Sequence, residues 1–259
     1  MNASASAAFS GDECFGPPYR APKVAICIPC IGASPFKETA SSLALEAPHL
    51  KNAGWQHITL QISGCPYISA ARAGLLRRAL NMDCTAAVFV DHDLSWSAGN
   101  LTKLLQTEGG IVGGTYRYKQ DDVVKYMGKV ELGADKRPVV READGAVEMR
   151  LLPAGFLKVT RAAVNRMVEA YPDLCYGERC NPHLDLFRHG ADEYQWWGED
   201  FALSRRWRAL GETLWCVPNL DLMHHTKDKG YPGNYHHFLQ GHEGAPVTAG
   251  NPTPPAIFD

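Results

Sequence analysis

The sequence has no apolar run approaching the roughly 20 residues a helix needs to cross a bilayer, so a membrane-spanning segment is not expected. Neither sign of charge is in excess: 26 Lys and Arg stand against 28 Asp and Glu, a formal net charge of −2. That balance argues against nucleic-acid binding across the whole surface and leaves room only for a local basic patch. Met1 to Ala8 show neither a basic start nor an apolar stretch of the secretory kind, and a cytoplasmic location is the expectation. Internal repeats are absent. Cysteine is not scarce, at eight, but paired motifs are. Cys27-x-x-Cys30 has no second CxxC, and its Pro29 falls at a strand end rather than a helix start. Reduced thiols are therefore expected.

What is present is an ordinary globular composition, 45% hydrophobic over 259 residues, enough for one large domain or two small ones. Residues 1–21 are Ala/Ser/Gly/Pro-rich and read as a loose arm. Val24 to Ile28 reads as a buried strand stopped by Pro29 and Gly32, and Phe36 to Leu50 as a helix with Leu43 and Leu45 on its apolar side. A strand over Ile58–Ile62, a helix over Ser69–Leu80, a strand over Ala86–Val90, a short helix over Leu101–Leu105 and a bare-backboned Ile111-Val112-Gly113-Gly114 strand follow. This alternation predicts a parallel sheet with right-handed crossovers. Val123 to Val147 is polar and Gly-punctuated, predicting antiparallel or irregular structure. Helices are predicted over Thr160–Tyr171, capped by Thr160, and Phe201–Leu210, ended by Gly211. Thr213 to Val217 is a last strand, and the Gly-, Pro- and His-rich stretch from about Gly230 reads as a loose tail or a flap.

The most informative stretch is Ala86-Ala87-Val88-Phe89-Val90 followed by Asp91-His92-Asp93. Five apolar residues have the composition of a strand buried on both faces. Two carboxylates then stand where the strand runs out, at the end of an α/β sheet where ligands bind. Acids there hold a divalent cation bridging a phosphate-bearing substrate, or form an Asp-rich turn. Three more features belong with them. His224, in alternation with Leu220 and Leu222, faces the side of the core residues, and an O,O,N set with Asp91 and Asp93 leans towards Mn²⁺ over Mg²⁺. Glu199 and Asp200 sit at a helix N-terminus, where a carboxylate serves the helix dipole, a general base or a substrate hydroxyl. Trp196 and Trp197 before them offer a flat wall for a sugar ring or base, or belong to the core. Arg72, on an Ala/Leu-rich helix, is a phosphate clamp or a solvated residue.

In their order along the chain, these features resemble the GT-A glycosyltransferases from about Val24 to His225. Val88-Phe89-Val90-Asp91-His92-Asp93 looks like the family's metal and sugar-nucleotide motif. Ser69-Ala70-Ala71-Arg72 looks like its Ala-Arg-Asn segment, with Ala73 in place of the Asn. Asp91 to Trp96, Ile111 to Tyr116 and Gly198-Glu199-Asp200 are similar to the family 2-like and Anp1-like branches. The resemblance implies a single α/β domain of GT-A (Rossmann-like) fold over residues 22–229, its mixed, mainly parallel central sheet flanked by helices. A flexible arm would precede it at 1–21, and a tail or flap would follow at 230–259. It implies that Asp91 and Asp93 bind a UDP- or GDP-sugar with Mn²⁺ or Mg²⁺, and that His224 completes the metal site. Pro29 and Arg72 would line the nucleotide pocket, and Asp200 or Glu199 would face the acceptor, be it a glycan, lipid, protein or modified base. A nucleotidyltransferase is the second enzyme reading, but Pro29 to Ser34 lacks the basic loop such enzymes carry after the first strand. A non-catalytic carbohydrate- or nucleotide-binding module is the third, and needs these residues to lie far apart.

Overall fold

The computed structural model describes residues 22–192 and 194–241. The predicted arm at 1–21 and the end of the predicted tail, from 242, lie outside the described residues. In chain order the strands are β1 (Lys23–Cys30), β2 (Gln56–Ser63), β3 (Ala86–Val90), β4 (Leu94–Trp96), β5 (Ile111–Gly113), β6 (Lys129–Val130), β7 (Val147–Leu151), β8 (Phe156–Thr160), β9 (Cys175–Tyr176), β10 (His183–Leu184), β11 (Gly190–Asp192), β12 (Gln195–Trp197), β13 (Leu214–Cys216), β14 (Asp221–His225) and β15 (Gly230–Asn234). The helices are α1 (Lys37–Asn52), α2 (Ile68–Asn81), α3 (Asn100–Gln106), α4 (Arg161–Ala170), α5 (Glu199–Ala209) and α6 (Tyr235–Leu239).

The fold is mixed α/β around an eight-stranded sheet ordered β2-β1-β3-β8-β5-β13-β7-β6. Strands β2, β1, β3, β5 and β13 run one way, as the strand–helix alternation predicts. Strand β8 is inserted antiparallel between β3 and β5, and β7 antiparallel beside β13. The sheet is thus mainly, not wholly, parallel. Strand β8 escapes a reading by periodicity because Lys158 interrupts its apolar run; the lysine is buried in the structure and donates to the carbonyls of Leu105 and Thr107 at the end of α3. Burial pushes its pKa down to about 8.

Strand β1 runs through Pro29 instead of stopping there. Its pairing with β3 ends at Cys27, so the missing N–H of Pro29 costs no bond on that side, while pairing with β2 continues to Cys30. Along β1, Ala25 and Cys27 face one apolar layer, with Leu75, Leu76, Phe89, Val164 and Trp207. Val24, Ile26, Ile28 and Cys30 face the other, with Leu50, Val88, Leu101 and Leu104. Cys27 and Cys30 therefore sit on opposite faces of the sheet, which rules out a CxxC redox or zinc pair there.

Helix α1 departs most from its predicted face. Leu45 is 61% exposed, and the buried stripe is Thr39, Ser42, Glu46 and Leu50. Three of these are polar, and each has a partner in the segment after β3. Thr39 donates to the carbonyl of His92 and Ser42 to that of Trp96. The Glu46 carboxylate accepts from Trp96 Nε1, the Gly99 and Thr102 amides and the Thr102 hydroxyl, at 2.6–3.0 Å. A buried carboxylate so saturated is a fixed anchor, and it serves the N-terminus of α3. Through these bonds α1 holds the chain from His92 to Thr102 in place.

Residues 230–241, the described part of the predicted tail, are folded onto the rest of the molecule. Strand β15 pairs with β14, which pairs with β4, and Tyr231 and Tyr235 are buried. No helix among the described residues is long and apolar enough to cross a membrane.

Candidate functional site

Asp91 leaves the end of β3 with its amide donating to the Gly155 carbonyl at 2.9 Å. Its two oxygens are both engaged: Oδ1 accepts from Arg72 Nη2 at 2.9 Å, and Oδ2 from the Tyr116 hydroxyl at 3.1 Å. Gly155 has to be glycine, because a Cβ there would run into both the Tyr116 hydroxyl and the Asp91 carboxylate. Arg72 is neither solvated nor at the surface: it is 2% exposed. Its guanidinium lies 5.4 Å from the Phe89 ring and 5.5 Å from that of Phe187, donates to the Ala154 carbonyl, and reaches Glu199 at 3.6 Å. Desolvation opposes its charge, but Asp91 and Glu199 outweigh it and raise its pKa. Tyr116, also buried, is pushed well up by burial and by Asp91, so it stays a phenol and a donor.

Two residues on, Asp93 points elsewhere. Its Oδ2 lies 2.5 Å from Lys119 Nζ and 3.6 Å from His224 Nε2. Burial works against its charge, yet the bonds to His224 and Lys119 prevail and hold its carboxyl well below the usual range. The other ring nitrogen of His224 is 2.9 Å from the Arg117 carbonyl. A carbonyl only accepts, so Nδ1 carries a hydrogen, and Nε2 is the ring nitrogen turned towards Asp93. The His224 ring meets Tyr116 edge-on, 5.0 Å between centroids. Tyr116 thereby joins the Asp93 half to the Asp91 half. His225 turns away from this network, with Nε2 2.7 Å from the Ser95 hydroxyl.

Glu199 and Asp200 open α5, whose first turn they suit electrostatically. Asp200 Oδ1 accepts from the Phe201 amide at 2.7 Å. Desolvation, and then the charge of Glu199, push its pKa up to about 7. Its charge is felt at Tyr116 and Tyr118, whose phenols are raised by burial and by carboxylates that include Asp200.

One chain of contacts therefore links Lys119, Asp93, His224, Tyr116, Asp91, Arg72, Glu199 and Asp200 at the carboxyl end of β3 and β5. Pro29 is buried at the end of β1, paired in register with Ile62. Trp196 is 60% exposed on β12, whereas Trp197 is half-buried with the Arg205 guanidinium 4.2 Å above its ring, so neither belongs to the main core. Lys119 and Gly155 carry no signal of a role in the sequence, and Tyr116 enters it only as the last residue of the Ile111–Tyr116 segment.

As for a cation, no group of three or more His, Cys, Asp or Glu side chains gathers among the described residues. Each oxygen of Asp91 accepts one hydrogen bond from the protein and keeps a second lone pair. Asp93 and His224 do converge, as an oxygen and a nitrogen donor 3.6 Å apart. Two such donors fit a cation of the Mn²⁺ or Mg²⁺ type, which keeps water and substrate phosphate oxygens as its remaining ligands.

No protein-family model matches the chain, and no curated protein matches it. Among solved structures, it is similar to protein A197 from STIV, with 15% identity, a TM-score of 0.47, and coverage of 82% of this chain and 94% of that one. It is also similar to the catalytic domain of Drosophila beta-1,4-galactosyltransferase 7, in complex with xylobiose, at 15% identity and a TM-score of 0.42, covering 83% and 73%. A third is GalNAc-T7 with UDP, GalNAc and Mn²⁺, at 10% identity and a TM-score of 0.45, where the overlap is 79% of this chain but only 43% of the other. At these values the likeness is one of general chain path and says nothing of this chain's activity, substrate or metal.

Proposed function

We propose that the chain is a glycosyltransferase of the GT-A type, in its family 2-like or Anp1-like branch, with residues 22–229 and the β15–α6 extension forming the catalytic domain. In this reading it moves a sugar from a UDP- or GDP-sugar to an acceptor hydroxyl. The observation that supports it is the single chain of contacts from Lys119 to Asp200. A non-catalytic module has no need to bring two strand-end carboxylates, a histidine and a helix-start carboxylate pair together around one buried arginine.

Asp93 and His224 are the residues that would hold the cation, and the cation would supply charge neutralisation for the leaving diphosphate. Asp91 orients the donor's nucleotide from a carboxylate fixed by Arg72 and Tyr116. Arg72 acts from beneath, its guanidinium 2.9 Å from Asp91 and 3.6 Å from Glu199, and holds the two carboxyl groups side by side. Glu199 is the member of the helix-start pair that reaches the guanidinium. Asp200, pushed up to about 7, is matched to the pH at which it has to act as a general base. It takes the proton of the acceptor hydroxyl as that oxygen bonds to the anomeric carbon, and the carbon–oxygen bond to the diphosphate breaks with its electron pair staying on the phosphate oxygen. This is transfer with inversion. In a transfer that retains configuration, Asp200 and Glu199 position the acceptor instead.

The test is thermal melting with UDP, GDP and CMP, each with and without Mn²⁺. A ligand at about 100 times its Kd stabilises the native state by about 2.7 kcal/mol, a shift of a few degrees in a domain of this size. One nucleotide stabilising only with Mn²⁺ is the expected result. No stabilisation by any of them contradicts the reading and favours the binding module.

A further inference from the structure

We propose that Lys119 is a built-in cation of this site, which occupies the Asp93 carboxylate when no divalent ion is bound and passes to the donor diphosphate when one is. The inference rests on the glycosyltransferase reading and deepens it by naming the residue that couples cation and donor.

The sequence around Lys119 places it beyond the last sheet residue of β5, on a segment that folds back on itself. Arg117 bridges to Tyr126, and the Tyr118 amide donates to the Lys125 carbonyl at 3.0 Å, so Lys119 to Val124 form the turn. Two ion pairs hold this turn over the site, Lys119 to Asp93 and Asp121 to Lys229. The backbone just before it supplies the carbonyl of Arg117 that orients His224. One short segment thus sets the tautomer of the imidazole and neutralises the carboxylate beside it.

The two halves of the site hold their cations on different terms. Arg72 has a side chain 2% exposed, wedged between two phenylalanines, with bonds to Ala154, Asp91 and Glu199. Nothing short of unpacking the core moves it. Lys119 has a side chain 30% exposed, and Asp93 is its ion-pair partner. Its ammonium ends a flexible four-carbon stem and acts as a compact point charge. Around Asp93 the need for a positive charge is geometric. Asp93 Oδ2 and His224 Nε2 face each other at 3.6 Å, an oxygen and a nitrogen placed so that one cation can serve both. The Lys119 ammonium is paired with the carboxylate alone, as a hydrogen-bond donor. A divalent ion would coordinate the carboxylate oxygen and the imidazole nitrogen directly, and would compete with the ammonium for Asp93.

Once displaced, the ammonium stays tethered within a stem's length of Asp93, where the donor diphosphate must lie to share the cation. A phosphate oxygen is a stronger partner for it than water. Lys119 therefore opposes the divalent ion in the empty site and assists it when the diphosphate is there. That is coupling between two ligands, and coupling is reciprocal: the nucleotide tightens the metal as much as the metal tightens the nucleotide.

The experiment is a Mn²⁺ titration of the full chain followed by electron paramagnetic resonance of the free ion, alone and with saturating UDP and then GDP. Wild type is compared with Lys119→Met and Lys119→Arg, with circular dichroism to confirm folding. Lys119→Met is expected to bind Mn²⁺ alone about tenfold more tightly, the effect of removing one adjacent unit charge. With the nucleotide present the advantage should vanish or reverse, and Lys119→Arg should stay near wild type. Equal Mn²⁺ affinities of wild type and Lys119→Met, within about twofold and in both states, overturn the inference while leaving the glycosyltransferase reading standing. Mn²⁺ bound by neither protein, with or without nucleotide, overturns both.

Discussion

Asp91 and Asp93 are two residues apart on one strand end, yet the chain treats them in opposite ways. Asp91 is held by sealed partners: a buried guanidinium and a buried phenol each bond one of its oxygens, and a Cβ at Gly155 would run into its carboxylate, while 24% of its own side chain stays exposed. Asp93 is served from a turn by a partly exposed lysine, with the Nε2 of His224 3.6 Å away. The difference is what motivates the proposal that Asp91 is scaffold and Asp93 exchangeable. A group whose partners are sealed in the core holds geometry, while one whose partner is a tethered ammonium is available to a ligand.

The largest effect that sharpens this contrast is expected from Arg72→Ala. It leaves Asp91 and Glu199 as unpaired acids around an empty slot between Phe89 and Phe187, and should cost about 3–5 kcal/mol in urea unfolding. A loss below about 1 kcal/mol breaks the contrast, because Arg72 is then no anchor. Next comes Asp200→Asn, which should lower transfer by about 10²–10⁴-fold while nucleotide binding holds, as melting shifts report. Weakened donor binding with normal transfer at saturation puts Asp200 on the wrong side of the site.

The pH dependence separates the acids further. Asp200 is raised, so it binds its proton more tightly folded than unfolded. The stability it contributes is full below about pH 4 and is lost as the pH rises through about 7. Calorimetric Tm should therefore fall between pH 5 and 8 in wild type and fall less in Asp200→Asn. Asp93 is held low, so its contribution is present above about pH 4 and lost as the pH falls below that. A smaller loss than that of Arg72→Ala is predicted for Asp93→Ala, about 1–3 kcal/mol in unfolding, with the Mn²⁺-dependent nucleotide shift abolished. Loss of folding in this variant would make Asp93 scaffold like its neighbour.

Much of the architecture is legible in the sequence because apolar runs such as Val24–Ile28 and Ala86–Val90 are buried on both faces and carry no competing signal. Thr160 is legible as a cap because its hydroxyl has one evident use, which it fulfils by accepting from the Ala163 amide at 3.2 Å. Strand β8 is not, since a single Lys158 in its middle reads as solvent-facing until a helix end is found to receive it. The buried face of α1 is not legible either: Thr39, Ser42 and Glu46 are polar, and only a partner segment 50 or more residues away makes their burial affordable. At the site, the sequence marks Asp91, Asp93, His224 and the Glu199–Asp200 pair, because each stands at the end of a strand or the start of a helix. It misses the division of labour between the two aspartates. That division depends on Tyr116 and Lys119, whose reach across the sheet edge is tertiary, and on Arg72, where an Ala/Leu helix conceals whether its one arginine points in or out.

The most direct measurement is product analysis. Wild type and Asp93→Ala are incubated with UDP- and GDP-sugars and Mn²⁺, and the released nucleotide is identified by ³¹P nuclear magnetic resonance. A cation-dependent glycosyltransferase site predicts release of one nucleoside diphosphate by the wild type, dependent on Mn²⁺ and lost in Asp93→Ala. Release of a nucleoside monophosphate, or no release from any donor, contradicts it.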